Sequence, residues 1–459
     1  PIQNGETMMK LLPLLAVALI SCPASAIDLE AVRKVVSDPK GSAAPGCAVG
    51  AFRGGKTLFI TAAGSGDIET GRALDADTLF YAASVSKQFT SLAVAMLVES
   101  GKIGLKDDVR KYISELPGYQ VPVTIEMLMH HTSGIRDVLG LIRLAGVESA
   151  NGIDKNSALQ LLFSQKDTNF VPGTAYTYSN GGYLLLAEVV ERVSGVPFAE
   201  FAGKAILKPL KMNRSFFMSG ADPKGENIAH GYVPAGDGFE IRDTYPRFSG
   251  SGGLMISMRD LAKFDHDIEF GHKVWRPSIQ KIMFAPGTFT DGDPAVEKRT
   301  GLVYAAGLQV GRRNGQHFIQ HGGGAEAFKN MYARLPERKL GVAVLCNRGD
   351  FVSQDKADQI IELVEGDILT DTPLAPDQVV AGQYRSEDLQ ATYNLSLEED
   401  VLTASINSPF AKSAAPLRFK RNPGGGYSSE GMTLVFDEDE QGFTIKSERV
   451  KAIHFRRAA

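Results

Sequence analysis

The sequence predicts a mixed α/β (α+β) body followed by a small all-β module. Three observations predict it. Strand-like runs lie near both ends of residues 27–369, at 48–52, 57–63, 317–320, 331–335 and 340–346, with helical patterns between them. A polar, Pro-containing stretch at 370–377 reads as a linker. Beyond it, short alternating runs at 402–406, 433–436, 443–446 and 452–455 are separated by turn-rich segments, the pattern of a barrel or sandwich over 378–459.

Each element follows from its residues. Helices are expected at 87–100, 125–129, 156–162, 181–194, 198–206, 258–269 and 353–369, where apolar positions recur every three to four residues. Strands at both ends of such a region argue for one sheet closed by the two chain ends. With 459 residues the chain exceeds one ordinary domain. Its 43% hydrophobic and 22% charged content fits a packed core, and a net charge of -4 gives no reason to expect nucleic acid as a partner. There is no His-Glu-x-x-His and no Cys-x-x-Cys, so neither metal nor cofactor is expected.

Residues 1–26 read as a leader. Lys10 is the basic start, residues 11–20 are an apolar stretch too short to span a bilayer, and Ala24-Ser25-Ala26 fits a small-x-small cleavage site. Met8 or Met9 is the expected start, with Pro1–Thr7 non-native. Export to the periplasm or medium is the expectation. Leu19-Ile20-Ser21-Cys22 also fits a lipoprotein box, the alternative, which would leave a membrane lipid on Cys22. Cys47 and Cys346 remain after cleavage, both in strand-like runs; a bridge is feasible if those strands are neighbours, and two buried free thiols are the preferred reading.

Three short motifs carry the chemistry. Ser-x-x-Lys occurs four times, at Ser37, Ser84, Ser278 and Ser353. Only the Ser84 copy follows a β-like run (78–81) and opens a helix, read as amphipathic, with apolar Phe89, Leu92, Ala93, Met96 and Leu97. Ser84 would be that helix's first residue and Lys87 would lie one turn on, placing an amine and helix-start N–H groups beside a hydroxyl nucleophile. Tyr178-Ser179-Asn180 is the one Tyr-x-Asn, in a loop before a helix, where a phenol can move a proton and an amide can hold a carbonyl. His321-Gly322-Gly323-Gly324 is the one His-x-Gly, on a late strand whose glycines let a substrate lie against the edge. Taken singly, each motif also reads as structure: a capping Ser with a solvated Lys, a packed Tyr, a glycine turn.

In this order the three motifs resemble the serine β-lactamase and penicillin-binding-protein superfamily. The stretches 80–90, 128–135, 176–186 and Gly252-Gly253-Leu254 with Ser257 and Asp260 are similar to the branch holding class C β-lactamases, D,D-carboxypeptidases, D-aminopeptidases and esterases. The resemblance covers about residues 48–347 and implies an antiparallel sheet flanked by helices. It implies Ser84 as the acylated nucleophile, with Lys87 and Tyr178 as acid and base in an order left open. Asn180 would hold the acyl side-chain carbonyl, His321 and Gly323 would line the substrate edge, and the N–H groups of Ser84 and Gly324 would form the oxyanion hole. The substrate would be a small peptide, ester or lactam.

Class C enzymes carry Lys where this chain has His321, and carboxylate-recognising members carry hydroxyls where it has Gly322 and Gly324. Arg312 and Arg313 upstream are candidates to compensate, against the plainer reading of surface arginines. A D-aminopeptidase, D,D-peptidase or esterase is therefore expected, with a class C-like β-lactamase or a catalytically silent binding module as alternatives. The acidic loops 398–400 and 437–440 are read as solvated turns, His130 and His131 as structural, Gly250–Gly253 as a packing turn, and Trp275 as core or groove.

Overall fold

The computed structural model describes residues 27–38, 41, 43–147, 150–298, 300–369, 381–398, 401–409, 416–421, 426–429, 432–436, 442–447 and 453–458. The leader, Cys22, the linker at 370–377 and most of both acidic loops lie outside them. The chain enters through α1 (Leu29–Val36), capped by the Asp28 carboxylate, and the hairpin β1 (Cys47–Arg53) to β2 (Lys56–Ala63). β3 (Leu79–Tyr81) leads through a single 3₁₀ turn, Ala83–Val85, into the central helix α2 (Ser86–Glu99). A helical region follows that includes α3 (Val138–Leu144) and α4 (Asn180–Ser194). β4 (Phe216–Phe217) and β5 (Leu254–Ser257) complete a small sheet with β3, and α5 (Met258–His266) follows. The chain returns through β6 (Val303–Tyr304), β7 (Gln309–Arg313), β8 (Gln316–Gly324), β9 (Lys329–Leu335) and β10 (Leu340–Cys346), then ends the domain with α6 (Ser353–Glu365).

The main sheet runs β6-β7-β8-β9-β10-β1-β2, antiparallel throughout. The two chain ends do meet, at β1 and β10. The sheet is buried on both faces. Val32 and Val36 of α1 and Ala357, Ile360 and Ile361 of α6 cover one face, and α5 packs on β1, β2 and β10 from the other, backed by the helical region. Packed against α4 and other helices, α2 is buried nearly all round from Ser86 to Ala95. That corrects the amphipathic helix expected there: apolar residues fill every face, and Ser86, Lys87, Gln88, Thr90 and Ser91 are buried with them.

Cys47 and Cys346 are directly opposite in the β1–β10 register, and both are fully buried. They form a disulfide that joins strands 299 residues apart in sequence, so the expected pair of free thiols is corrected. Composition could not reveal it, because register across so long a separation is set by tertiary packing. A bridge of this span restricts the unfolded chain. The double variant Cys47→Ala/Cys346→Ala should lose about 2–5 kcal/mol of stability, read by urea unfolding of both proteins. An unchanged midpoint would mean the bridge adds nothing to the fold.

After residue 381, eight strands from Gly382–Ser386 to Ile453–Arg457 close into an antiparallel barrel. Tyr384, Tyr393, Phe419, Phe443 and Phe455 fill its interior. Closure removes the exposed strand edges that an open sheet of this size would present.

Candidate active site

Ser84 sits in the 3₁₀ turn rather than at the first position of α2, which starts at Ser86. The preceding residue, Ala83, has φ +47°, a left-handed conformation that side-chain-bearing residues avoid. The turn thus holds strain of about 1–2 kcal/mol beside the hydroxyl. Strand β8 presses against the same turn. A Cβ on Gly323 would lie 2.2 Å from the Ala82 carbonyl oxygen, so only glycine fits there. Gly323→Ala must push β8 away from Ser84. A displacement near 1 Å would cut kcat roughly 100-fold. Retention of wild-type kcat on any substrate the wild type turns over would count against this close approach.

Lys87 lies one turn along α2 and is fully buried. Its Nζ is 3.1 Å from Ser84 Oγ, 2.8 Å from Asn180 Oδ1 and 2.8 Å from the Ser251 carbonyl oxygen. Burial pulls its pKa down to about 7, and the Asp137 charge opposes that shift. A neutral amine has two N–H groups and one lone pair. The two carbonyl-type oxygens accept only, so they take the N–H groups, and the lone pair faces the Ser84 hydroxyl. The Ser251 carbonyl belongs to the Gly250–Gly253 turn, which packs as expected and also reaches the lysine. Thr90 Oγ1 donates to the Gly250 carbonyl and Leu254 N donates to Ser86 Oγ, so that turn is pinned to α2 with Ser251 aimed at Lys87.

Tyr178 and Asn180 come from the loop that opens α4. The half-buried Tyr178 ring lies 4.8 Å from Lys87 Nζ, and its hydroxyl hydrogen-bonds Ser84. Burial pushes the phenol well above its usual pKa, and the Ser84 bond offsets this only in part. Asn180 is oriented by Asp137, whose Oδ1 accepts from Asn180 N (2.7 Å) and Nδ2 (2.9 Å) while its Oδ2 caps α3 at Gly140 N. With Nδ2 turned to Asp137, Asn180 Oδ1 must face Lys87. His131 supports the same loop: Ser179 N donates to its Nδ1 at 3.1 Å, and its ring packs 4.3 Å from that of Tyr178. Burial holds His131 well below its usual pKa, so it stays neutral.

His321 is placed differently from its expected role at the substrate edge. It is buried, with Nδ1 2.5 Å from the Gly322 carbonyl and Nε2 2.8 Å from the Tyr304 hydroxyl, and it does not line the cavity at Ser84. Tyr304 ends the two-residue strand β6, and nothing in the sequence marked it. Its ring packs 4.3 Å from His131 and 6.0 Å from Tyr178, so it joins the two motifs. Arg313 pairs with Asp358, and Arg312 reaches the Gly315 carbonyl and Glu337; neither lines the cavity. Both are therefore the surface arginines of the plainer reading, and neither supplies that compensation. Trp275 is core, fully buried and stacked on Phe284. Among the described residues no group of three or more acidic, His or Cys side chains could hold a metal.

Ser84 opens onto a cavity of about 440 Å³. Asn180, Ser251, Gly252 and Gly324 line it beside the nucleophile, and Leu139, Ile142 and Val147 supply an apolar wall. Its size is that of a small-ligand site.

A family model described as Beta-lactamase matches residues 32–365, the whole sheet-and-helix domain. Penicillin-binding protein 4* of Bacillus subtilis (strain 168) is 26% identical over 320 residues, 67% of this chain and 69% of that protein. A D-aminopeptidase of Cereibacter sphaeroides (strain ATCC 17023) is 24% identical over 438 residues, 93% of this chain and 80% of that protein. Among solved structures, the octameric penicillin-binding protein homologue from Pyrococcus abyssi superposes with a TM-score of 0.64 at 23% identity, covering 90% of this chain and 96% of the other, a likeness of fold. A buried lysine on a serine at a helix start, under a seven-stranded antiparallel sheet, within a matched region that spans most of the chain, makes this protein a serine hydrolase of the beta-lactamase family.

Proposed function

We propose that the chain is an exported hydrolase that cleaves an amide or ester of a D-configured residue through a Ser84 acyl-enzyme, as a D-aminopeptidase or a close D-peptidase or esterase variant. The observation that carries the reading is Lys87 Nζ 3.1 Å from Ser84 Oγ, with its other two contacts on acceptors and a pKa near 7. A poised amine takes the hydroxyl proton as Ser84 attacks the substrate carbonyl. The Ser84 and Gly324 N–H groups face the developing oxyanion. Tyr178, whose phenol burial pushes above its usual pKa, gives its proton to the departing amine or alcohol and regains one from the protonated Lys87, whose Nζ is 4.8 Å from its ring. Asn180 spends one Nδ2 hydrogen on Asp137 and keeps the second for the acyl carbonyl. Water then releases the acyl group.

The D-aminopeptidase choice is supported by the length of the likeness to the Cereibacter protein, which runs past the hydrolase domain towards the barrel. Export is supported by the leader pattern and by the Cys47–Cys346 bridge, since disulfides persist in oxidising compartments. Intact-protein mass spectrometry with D-alanine p-nitroanilide, p-nitrophenyl acetate, a cephalosporin and a D-Ala-D-Ala peptide tests the reading, with Ser84→Ala as control. A mass gain on wild type alone, with turnover of the D-alanine anilide, is expected. No gain and no turnover with any of the four would leave a silent binding module.

A further inference from the structure

A second cavity, of about 600 Å³, opens in the hydrolase domain between the β1–β2 hairpin, α5 and the chain ahead of β4. It shares no lining residue with the cavity at Ser84. Ile60 of β2, Ala262 of α5 and Leu210 give it apolar walls. Four cationic side chains share the lining: Lys211, Arg259, Lys263 and Lys273. Two of them are partly committed. Arg259 Nε and Nη2 donate to the Asp77 carboxylate at 2.8 and 3.2 Å. Lys263 Nζ donates to Asp260 Oδ1 at 2.7 Å and to the Lys211 carbonyl at 2.6 Å. Each keeps at least one N–H beyond those bonds. Lys211 and Lys273 are exposed and make no ion pair among the described residues.

The one acidic residue of the lining is Asp267, and its carboxylate is taken. Oδ1 accepts from Lys273 N and Oδ2 from Val274 N and Trp275 N, all at 2.9 Å. Asp77 and Asp260 offset Arg259 and Lys263, so the surplus positive charge sits on Lys211 and Lys273. The volume is that of a small-ligand site. Charge and apolar lining together narrow the ligand. A cation would meet like charges on entry. A small inorganic anion would leave Ile60, Leu210 and Ala262 uncovered, and a neutral apolar molecule would make no use of the lysines. We propose that this cavity binds a single-chain amphipathic anion, its carboxylate or phosphate head on Lys211 and Lys273 and its apolar chain against Ile60, Leu210 and Ala262. The site is independent of the hydrolase reading and stands if that reading fails.

The test is titration calorimetry of the full chain with decanoate, decyl phosphate, decanol, decyltrimethylammonium and inorganic phosphate, each below any micelle concentration. Decanoate or decyl phosphate should bind at one site per chain, and the tighter of the two tells a carboxylate ligand from a phosphate one. Lys211→Gln/Lys273→Gln changes two exposed side chains and should weaken that anion about 3- to 30-fold, the effect of two exposed ion pairs. Decanol and decyltrimethylammonium should bind wild type more weakly by at least that factor, and inorganic phosphate likewise. Ala262→Trp puts an indole into the cavity and should abolish binding; if that variant does not fold, the lysine variant decides. Ser84→Ala should bind the anion as wild type does. No binding of either anion to wild type, decanol or phosphate binding as tightly as they do, or an affinity that the lysine variant leaves unmoved overturns the proposal. Loss of binding in Ser84→Ala would place the ligand in the catalytic cavity and overturn it as well.

Discussion

Lys87→Met is expected to lower kcat/KM about 100- to 10,000-fold and, at the same time, to make the protein more stable in mild acid. The loss follows from removing the amine 3.1 Å from Ser84 Oγ. The gain follows from burial. The lysine pKa falls from 10.5 to about 7, and each unit is about 1.4 kcal/mol, so holding a charged Lys87 in the fold costs roughly 5 kcal/mol below pH 7. Methionine removes that cost but leaves Asn180 Oδ1 and the Ser251 carbonyl without a donor, about 1–3 kcal/mol each. At the middle of that range a net gain of about 1 kcal/mol remains. Between pH 7 and 10.5 the unfolded lysine binds a proton that the folded one does not, so wild-type stability contains a term that rises with pH in that window. The variant lacks the term, and its advantage must shrink from pH 6 to pH 10. Urea unfolding at both values reads this, and an advantage independent of pH would show that Lys87 is not held neutral. Activity gives the companion sign. A base works when deprotonated, so wild-type kcat/KM should climb through about pH 7 as pH rises.

The nucleophile, its lysine and the Tyr-x-Asn loop were legible because their spacing is local. Ser84 and Lys87 are three residues apart and meet through one helical turn, wherever the rest of the chain goes. The turn at Ser251 packs as expected, but its contact with Lys87 was not legible, for the opposite reason. Its carbonyl is a backbone atom with no sequence signature, and it reaches Lys87 from 164 residues away. Tyr304 was missed because a two-residue strand has no periodicity to detect. β7 was missed because Gln309-Val310-Gly311-Arg312-Arg313 carries a glycine and two arginines, a composition depleted in strands. His321 shows a subtler failure. Its position in the chain was legible, yet its two ring nitrogens are drawn to the Gly322 carbonyl and to Tyr304, a partner that the motif does not contain.

The barrel repeats the contrast at larger scale. Four of its eight strands were expected from alternating runs, while Gly382–Ser386, Ala391–Glu398, Leu417–Arg421 and Tyr427–Ser429 were not. Ala391–Glu398 does alternate throughout, with Ala391, Tyr393, Leu395 and Leu397 on one face, so its pattern is legible; the other three lack such a face. Leu417-Arg418-Phe419-Lys420-Arg421 alternates for three positions and then carries two basic residues.

Asp137 separates electrostatics from positioning, and two substitutions should divide them. The residue does three things: it caps α3 at Gly140, it fixes the amide of Asn180, and its charge holds the Lys87 pKa up against burial. Asp137→Asn keeps an acceptor for Asn180 and removes the charge. The Lys87 pKa must then fall further, and the acid limb of the pH–rate profile must move to lower pH. Asp137→Ala removes the acceptor as well. Asn180 is then free to turn its oxygen away from Lys87, and kcat/KM at the pH optimum should fall about 10- to 100-fold. Loss of the cap should cost about 0.5–2 kcal/mol of stability. The limb should move in the same direction for both variants, while the large loss at the optimum should appear in the alanine variant alone. If the asparagine variant keeps the wild-type limb, the Asp137 charge does not act on Lys87. If the alanine variant keeps wild-type kcat/KM, Asn180 needs no anchor and its orientation is set by Lys87 itself.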